Sequence, residues 1–316
     1  MSPHTYWHLE AARRKPSDYE IGTSQLLYYP ARGFEVRTPV SAWYERYQTG
    51  SPLRARDWER FRDPRATTYA SYTELQSAQE TYLDGILDAA DATGQDGRLS
   101  RECLALLQRC VPVLRYPIHG LQMTTAYVGS MAPGGRLVVA CAFQAADELR
   151  RVQRLAYRMR QLQDVDPGFG AGAKTAWQAD PIWQPLRALI ERLLVTWDWG
   201  EALVALGLVV KPAFDELWMI ELGSLAHAAG DEVLPQIFLS LSKDCAWHRA
   251  WIGAALAVAI EDDPAIRDVV RGWVGRWKPI GDAAMVAFEP VLGAEAVARA
   301  GAAAAAYRGT IVGEGL

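Results

Sequence analysis

The chain has 316 residues, of which 50% are hydrophobic and 22% are charged, and its formal net charge is −4. A chain of this length can bury a sizeable core. Its mildly acidic balance excludes the strongly basic surface that a nucleic-acid-binding domain needs.

Membrane insertion is not expected either. The longest apolar stretch, 202–210, ends at Lys211-Pro212 and is far shorter than the about 20 residues of a membrane-spanning helix. The N-terminus has no apolar segment typical of a signal peptide, and the four cysteines show neither CxxC spacing nor a disulfide framework. We therefore expect a cytoplasmic protein with no membrane contact.

Residues 1–68 are predicted to form an extended N-terminal arm. Prolines recur too often there for a long helix, since proline removes a backbone donor and restricts the residue before it. The segment is also rich in tyrosine and tryptophan, which are enriched at protein interfaces. We expect subunit contacts here, although a small aromatic core of the segment's own is the alternative. The candidate anchors are Trp7, Tyr28, Trp43, Tyr44 and Trp58.

From Tyr69 onward the apolar residues follow the helical period. After a first helix that stops at Thr93-Gly94, helices are predicted at 98–131, 136–162, 181–198, 199–229, 231–261, 264–276 and 280–307. Long helices joined by short turns favour an all-α antiparallel bundle. We place the bundle at residues 69–262, with C-terminal helices packing on it at 263–316.

One basic cluster stands out within this bundle. Its members are Arg150, Arg151, Arg154, Arg158 and Arg160. Acidic residues nearby in sequence balance its charge, namely Asp147, Glu148, Asp164 and Asp166. We interpret the cluster as a solvated surface and not as a phosphate-binding site.

Two helices carry incomplete copies of a metal-binding motif. Di-iron carboxylate bundles use two single glutamates and two Glu-x-x-His pairs on four helices. Glu148 is followed three residues later by Arg151, and His248 is preceded three residues earlier by Cys245. Arginine is permanently protonated and cannot bind a metal, but it can pair with a glutamate one turn back.

A single-glutamate position is also lost, because Lys211 stands in the middle of the apolar run of the fifth helix. At most Glu148 and His248 remain as motif ligands, which is too few for a metal pair. We therefore predict a ferritin-like bundle that binds no metal and has no catalytic residue. Its degenerate positions are Glu148, Arg151, Lys211, Cys245 and His248.

Segments along nearly the whole chain resemble one protein family. They include Thr5–Leu9, Arg14–Tyr19, Ala146–Arg150, Asp198–Ala202 and Leu208–Pro212. In these segments the chain is similar to the β subunit of the hydroxylase in bacterial multicomponent monooxygenases that act on toluene, phenol or alkenes. The similarity is greatest to the toluene-4-monooxygenase type.

The resemblance implies an α2β2γ2 hydroxylase in which the α subunit holds the di-iron centre and this chain binds no cofactor. The partners would be the α and γ subunits and a second copy of this chain. An NADH-dependent reductase with FAD, Fe–S electron carriers including a ferredoxin, and an effector protein would complete the system. The complex would insert one oxygen atom of O2 into an aromatic hydrocarbon such as toluene.

Three alternatives stay open. The same family includes enzymes that epoxidise alkenes or isoprene, so the substrate class is not fixed. An independent ferritin-like oxidase would need an unusual site built from Glu148, Cys245 and His248. A freestanding helical binding protein with a central apolar pocket is the third.

Overall fold

The computed structural model describes residues 16–23 and 39–313, and all regular elements in those ranges are helical. The predicted all-α class is therefore confirmed. Trp7 and Tyr28 lie outside the described residues. None of the described helices is both long and apolar enough to cross a bilayer.

The described part of the N-terminal segment contains short helices only. These are α1 (Asp18–Thr23), α2 (Pro39–Tyr44), the π-helical turn Glu45–Thr49 and the 3-10 turn Trp58–Arg60. Leu53 and Phe61 are fully buried in the core of the same chain. Asp63 accepts a hydrogen bond from Nε1 of Trp247 at 2.7 Å. This part of the predicted arm therefore packs on the bundle of its own chain.

The next three helices agree with the prediction to within three residues at each end. They are α3 (Tyr69–Ala92), α4 (Arg101–Met131) and α5 (Gly135–Leu162). Thr68 and Ser71 form a reciprocal capping box at the start of α3, and Ser100 caps α4 by accepting from the Cys103 amide. α4 and α5 pack against each other along most of their length.

Two shorter helices, α6 (Ala173–Ala179) and α7 (Gln184–Leu194), lead into a continuous helical run. The run consists of α8 (Trp199–Val204), α9 (Lys211–Asp215) and α10 (Leu222–Ala228), joined by the π-helical stretches Ala205–Val210 and Glu216–Glu221. The π-helical irregularity lies on both sides of Lys211-Pro212, and such stretches are frequent at functional sites.

The C-terminal helices are α11 (Val233–Asp262), α12 (Ile266–Val286), α13 (Glu289–Leu292) and α14 (Ala294–Val312). The predicted break between 276 and 280 is wrong, because α12 continues through Pro279. Trp273, Trp277 and Met285 bury one continuous apolar face of α12. That burial offsets the backbone hydrogen bond that proline removes.

Candidate functional site

Four charged side chains meet in the core of the bundle, and three of them stand at predicted degenerate positions. Glu148 and Arg151 project from α5, and Lys211 and Asp215 project from α9. Arg151 Nη1 lies 2.7 Å from Glu148 Oε2 and 3.0 Å from Asp215 Oδ1. Lys211 Nζ lies 2.5 Å from Glu148 Oε1 and 3.2 Å from the Asp215 carboxylate. We call these four residues the ion-pair cluster.

The ion-pair cluster is fully internal and has no net charge. None of its side chains is more than 3% exposed. Burial disfavours the charged form of Lys211, but Asp215 and Glu148 outweigh burial and raise its pKa. Burial likewise opposes ionisation of Asp215, but Lys211 and Arg151 lower its pKa. Lys211 and Asp215 therefore stabilise each other in their charged forms.

Cys245 and His248 of α11 border the ion-pair cluster. Burial raises the pKa of the Cys245 thiol to about 12, so the sulfur stays protonated at neutral pH. Burial, followed by the nearby charges of Lys211 and Arg151, holds the pKa of His248 well below its usual value. His248 is therefore a neutral imidazole.

His248 connects the ion-pair cluster to a second polar layer. Its Nε2 lies 2.9 Å from Asp147 Oδ2, and its Nδ1 has no hydrogen-bond partner among the described residues. Asp147 Oδ1 accepts hydrogen bonds from Tyr72 Oη at 2.8 Å and Gln76 Nε2 at 2.9 Å. Gln76 Nε2 also reaches Asp244 at 3.1 Å. The layer therefore joins α3, α5 and α11.

The residues present do not fit a di-iron centre. Both oxygens of Glu148 are held by cations, Cys245 is a protonated thiol, and Arg151 has no lone pair to donate. Over residues 16–23 and 39–313, no group of three or more His, Cys, Asp and Glu side chains is arranged to hold a metal. The cluster instead ties α5 to α9 through buried charge pairs.

All five predicted degenerate positions come together in this one place. Asp215 is the member that the sequence interpretation missed. The available signal was that Asp215 follows Lys211 by four residues, a spacing that pairs opposite charges on one helix face.

The interpretation of the α5 arginines as a solvated surface is wrong for most of them. Arg150, Arg154 and Arg158 are nearly or fully buried, although Arg160 is exposed. Their partners lie far away in sequence on other elements. The pairs are Arg150 with Glu80 and Asp244, Arg154 with Glu80 and Asp84, and Arg158 with Asp96 and Asp231.

The described interface candidates divide into two groups. Trp58 is buried in the core and packs edge-on against Trp199, with ring centroids 5.3 Å apart, so it is not available as an anchor. Trp43 is 37% exposed, and its ring centroid lies 5.2 Å from that of the equally exposed Trp197. Tyr44 is half-buried and donates to the Ser130 carbonyl at 3.0 Å.

Fold and site together define a ferritin-like helical subunit with a buried cluster of charge pairs in its core. The family model for methane, phenol and alkene hydroxylases matches residues 43–263. The chain belongs to this family.

The sequence is 35% identical over 298 residues to the β subunit of the hydroxylase component of the toluene-4-monooxygenase system of Ectopseudomonas mendocina. This alignment covers 92% of the chain and 91% of the relative. The resemblance to hydroxylase β subunits of the toluene-4-monooxygenase type is thus confirmed.

Two solved structures share the fold. A chain of toluene 4-monooxygenase, solved with toluene in its resting active site, superposes with a TM-score of 0.87 at 34% identity and covers 92% of this chain and 98% of that one. A chain of the xenon-pressurised phenol hydroxylase from Pseudomonas sp. OX1 superposes with the same TM-score at 19% identity, covering 98% and 94%. The second match supports the fold alone.

Proposed function

We propose that this chain is the non-catalytic, structural β subunit of an α2β2γ2 di-iron hydroxylase. The observation that carries the proposal is the ion-pair cluster, in which Lys211 and Arg151 occupy the carboxylate oxygens of Glu148. A bundle whose buried carboxylates are neutralised by its own lysine and arginine side chains needs no metal at that position. The active site would then belong to the α subunit.

The substrate class follows from the relatives. The 35% identical relative belongs to a toluene-4-monooxygenase system, and we propose insertion of one oxygen atom of O2 into an aromatic hydrocarbon such as toluene, with NADH as reductant. Reductase, ferredoxin and effector protein would act on the assembled complex. An alkene- or isoprene-epoxidising enzyme of the same family is the alternative, since this chain does not supply the substrate pocket.

The chain's own contribution would be to hold the partner subunit in a fixed position within the complex. Its buried charge pairs fix the spacing of α3, α5 and α11, and exposed apolar side chains such as Trp43 and Trp197 offer contact area. Aromatic side chains are enriched among residues that dominate binding energy. We therefore keep Trp43 and Tyr44 as proposed anchors.

The first prediction tests this role by metal content. Co-expressed with an α subunit that has two intact Glu-x-x-His helices, the chain should enter a complex whose iron is unchanged by Cys245→Ser, because the thiol is not a ligand. Iron is measured by mass spectrometry on the purified complex. The chain expressed alone should be poorly soluble and should contain no iron.

The two other interpretations give different results in the same experiment. Stoichiometric iron in the lone chain, lost in Cys245→Ser, would support the independent oxidase built on Glu148, Cys245 and His248. A stable soluble monomer that does not join the complex would support the freestanding binding protein.

A further inference from the structure

Arg308 of α14 is a buried cation that forms no ion pair among the described residues, and the carboxylate of Asp282 acts on its charge without a hydrogen bond. Its side chain is 3% exposed, and Nη1 reaches the Leu208 carbonyl at 3.4 Å. Nε has no hydrogen-bond partner, and no carboxylate in the described ranges pairs with this guanidinium. Burial lowers the pKa of Arg308. A buried, unpaired charge is costly, so an anion from outside these residues would be stabilising.

Arg308 lines a groove of about 490 Å³ between α12 and α14. The lining extends along α14 from Ala294 to Arg308, about 21 Å at about 1.5 Å per residue. Met285 and Val297 provide apolar walls, while Lys278, the other cation in the lining, is paired with Asp282 at 2.8 Å. Of the two cations in the lining, Arg308 is thus the one that forms no ion pair among the described residues.

The α14 side of the groove is made of very small residues. Ala298 and Ala302 are exposed, and a Cβ added to Gly301 would meet no atom within 4 Å. Helix axes pack 8–10 Å apart depending on the side chains between them, so a face of alanine and glycine permits close approach. Small-molecule pockets bury most of their ligand, which a long open groove does not. Length, openness and small side chains favour a helix as the occupant.

We infer that the groove between α12 and α14 is the docking site for an apolar helix of a partner subunit, whose carboxylate pairs with Arg308. The inference rests on the proposed function, since it requires a multisubunit complex. A carboxylate on the incoming helix would form a charge-assisted hydrogen bond to the guanidinium, and its apolar face would cover the alanine wall.

The second prediction tests the groove on the co-expressed complex with affinity-tagged partner subunits. Gly301→Leu places a larger side chain in the groove at a position where a Cβ meets no atom within 4 Å, and Arg308→Met removes the charge at similar size. Each should weaken association at least tenfold, measured as the dissociation constant on dilution by mass photometry. Circular dichroism of each purified complex checks that the chain is folded.

Two matched controls separate these effects from general damage. Gly275→Leu adds the same side chain at an exposed glycine of α12 where a Cβ also meets no atom within 4 Å. Arg299→Met removes an arginine of α14 that is already paired with Glu221 at 2.6 Å. Neither control should change the dissociation constant by more than about twofold.

The contrary outcomes are distinct. If wild-type chain assembles and both groove variants assemble equally well, the inference is wrong and the proposed function stands. If wild-type chain joins no hydroxylase subunits, both are wrong. If octanoate binds the complex in calorimetry, and Arg308→Met abolishes that binding without weakening assembly, a free carboxylate occupies the groove and the helix is excluded.

Discussion

Lys211 brings a positive charge into the centre of the bundle, and its neighbours decide what that charge does. With Arg151 it balances the two carboxylates of Glu148 and Asp215. Buried ion pairs recover their desolvation cost only when the geometry is good, and losing one partner leaves the others uncompensated. Each member of the ion-pair cluster therefore depends on the other three.

The third prediction follows from this dependence. Lys211→Met should lower the free energy of unfolding by about 3–5 kcal/mol, because it leaves two carboxylates facing one cation. Replacing all four residues with apolar ones of similar size (Glu148→Met, Arg151→Met, Lys211→Met and Asp215→Leu) should recover most of that loss. Urea unfolding of the assembled complex, followed by circular dichroism, measures both. A fourfold variant as unstable as Lys211→Met would contradict the explanation.

The fourth prediction concerns His248, whose folded pKa is held well below that of the unfolded chain. Between the two pKa values the unfolded state binds a proton that the folded state does not. Stability contributed by neutral His248 is therefore complete above about pH 6.5 and falls as pH decreases below it, by up to about 1.4 kcal/mol per pH unit. His248→Gln should flatten this slope in unfolding curves from pH 7.5 to 5.5.

Asp147 acts in the opposite direction. Burial, with the nearby charge of Asp244, raises the pKa of Asp147 well above its usual value, so its contribution to stability grows as pH falls toward about 3.8.

The comparison with His119→Gln, a change at an exposed histidine, isolates the His248 effect. Equal slopes for both variants would contradict the fourth prediction.

At the scale of elements, close packing of α4 against α7 needs a glycine. A Cβ on Gly120 would lie 2.3 Å from Cγ2 of Ile190. The contact is to the branched part of a buried side chain and not to a flexible end, so the helices would have to move apart. The close distance between α4 and α7 therefore depends on the absence of a Cβ at Gly120.

The fifth prediction tests this close packing of α4 against α7. Gly120→Ala should destabilise the chain by about 1–3 kcal/mol through overpacking, although alanine is the better helix former. Gly275→Ala, where a Cβ meets nothing, should instead stabilise it by about 0.5–1 kcal/mol. Thermal unfolding of both variants in the complex gives the sign. In a chain that already carries Ile190→Ala, adding Gly120→Ala should not lower the stability further, because the methyl group that would clash has been removed.

Elements also show how far a sequence can be interpreted without coordinates. Helical periodicity located α3, α4 and α5, and the i, i+3 spacing of Glu148 and Arg151 gave their contact, because both signals are local. The continuation of α12 through Pro279 depends on packing against other helices, and a local rule cannot predict it.

At the scale of the whole molecule, long-range pairing explains the remaining errors. Arg158 finds Asp96 and Asp231, 62 and 73 residues away in sequence. Carboxylates adjacent in sequence suggested a solvated surface, whereas the fold buries the arginine and brings distant acids to it. The same limit applies to Asp215, which became visible as a cluster member only once α5 and α9 were side by side.

The cations of the ion-pair cluster are side chains of the protein itself, so its fold does not depend on a supply of metal. A bundle held by bound iron loses its internal counter-charges under chelation or iron starvation. This chain carries Lys211 and Arg151 wherever it is made. In the proposed complex, this chain would therefore fold before the iron site of its partner is filled, and iron availability would set the activity of the complex but not the supply of this subunit.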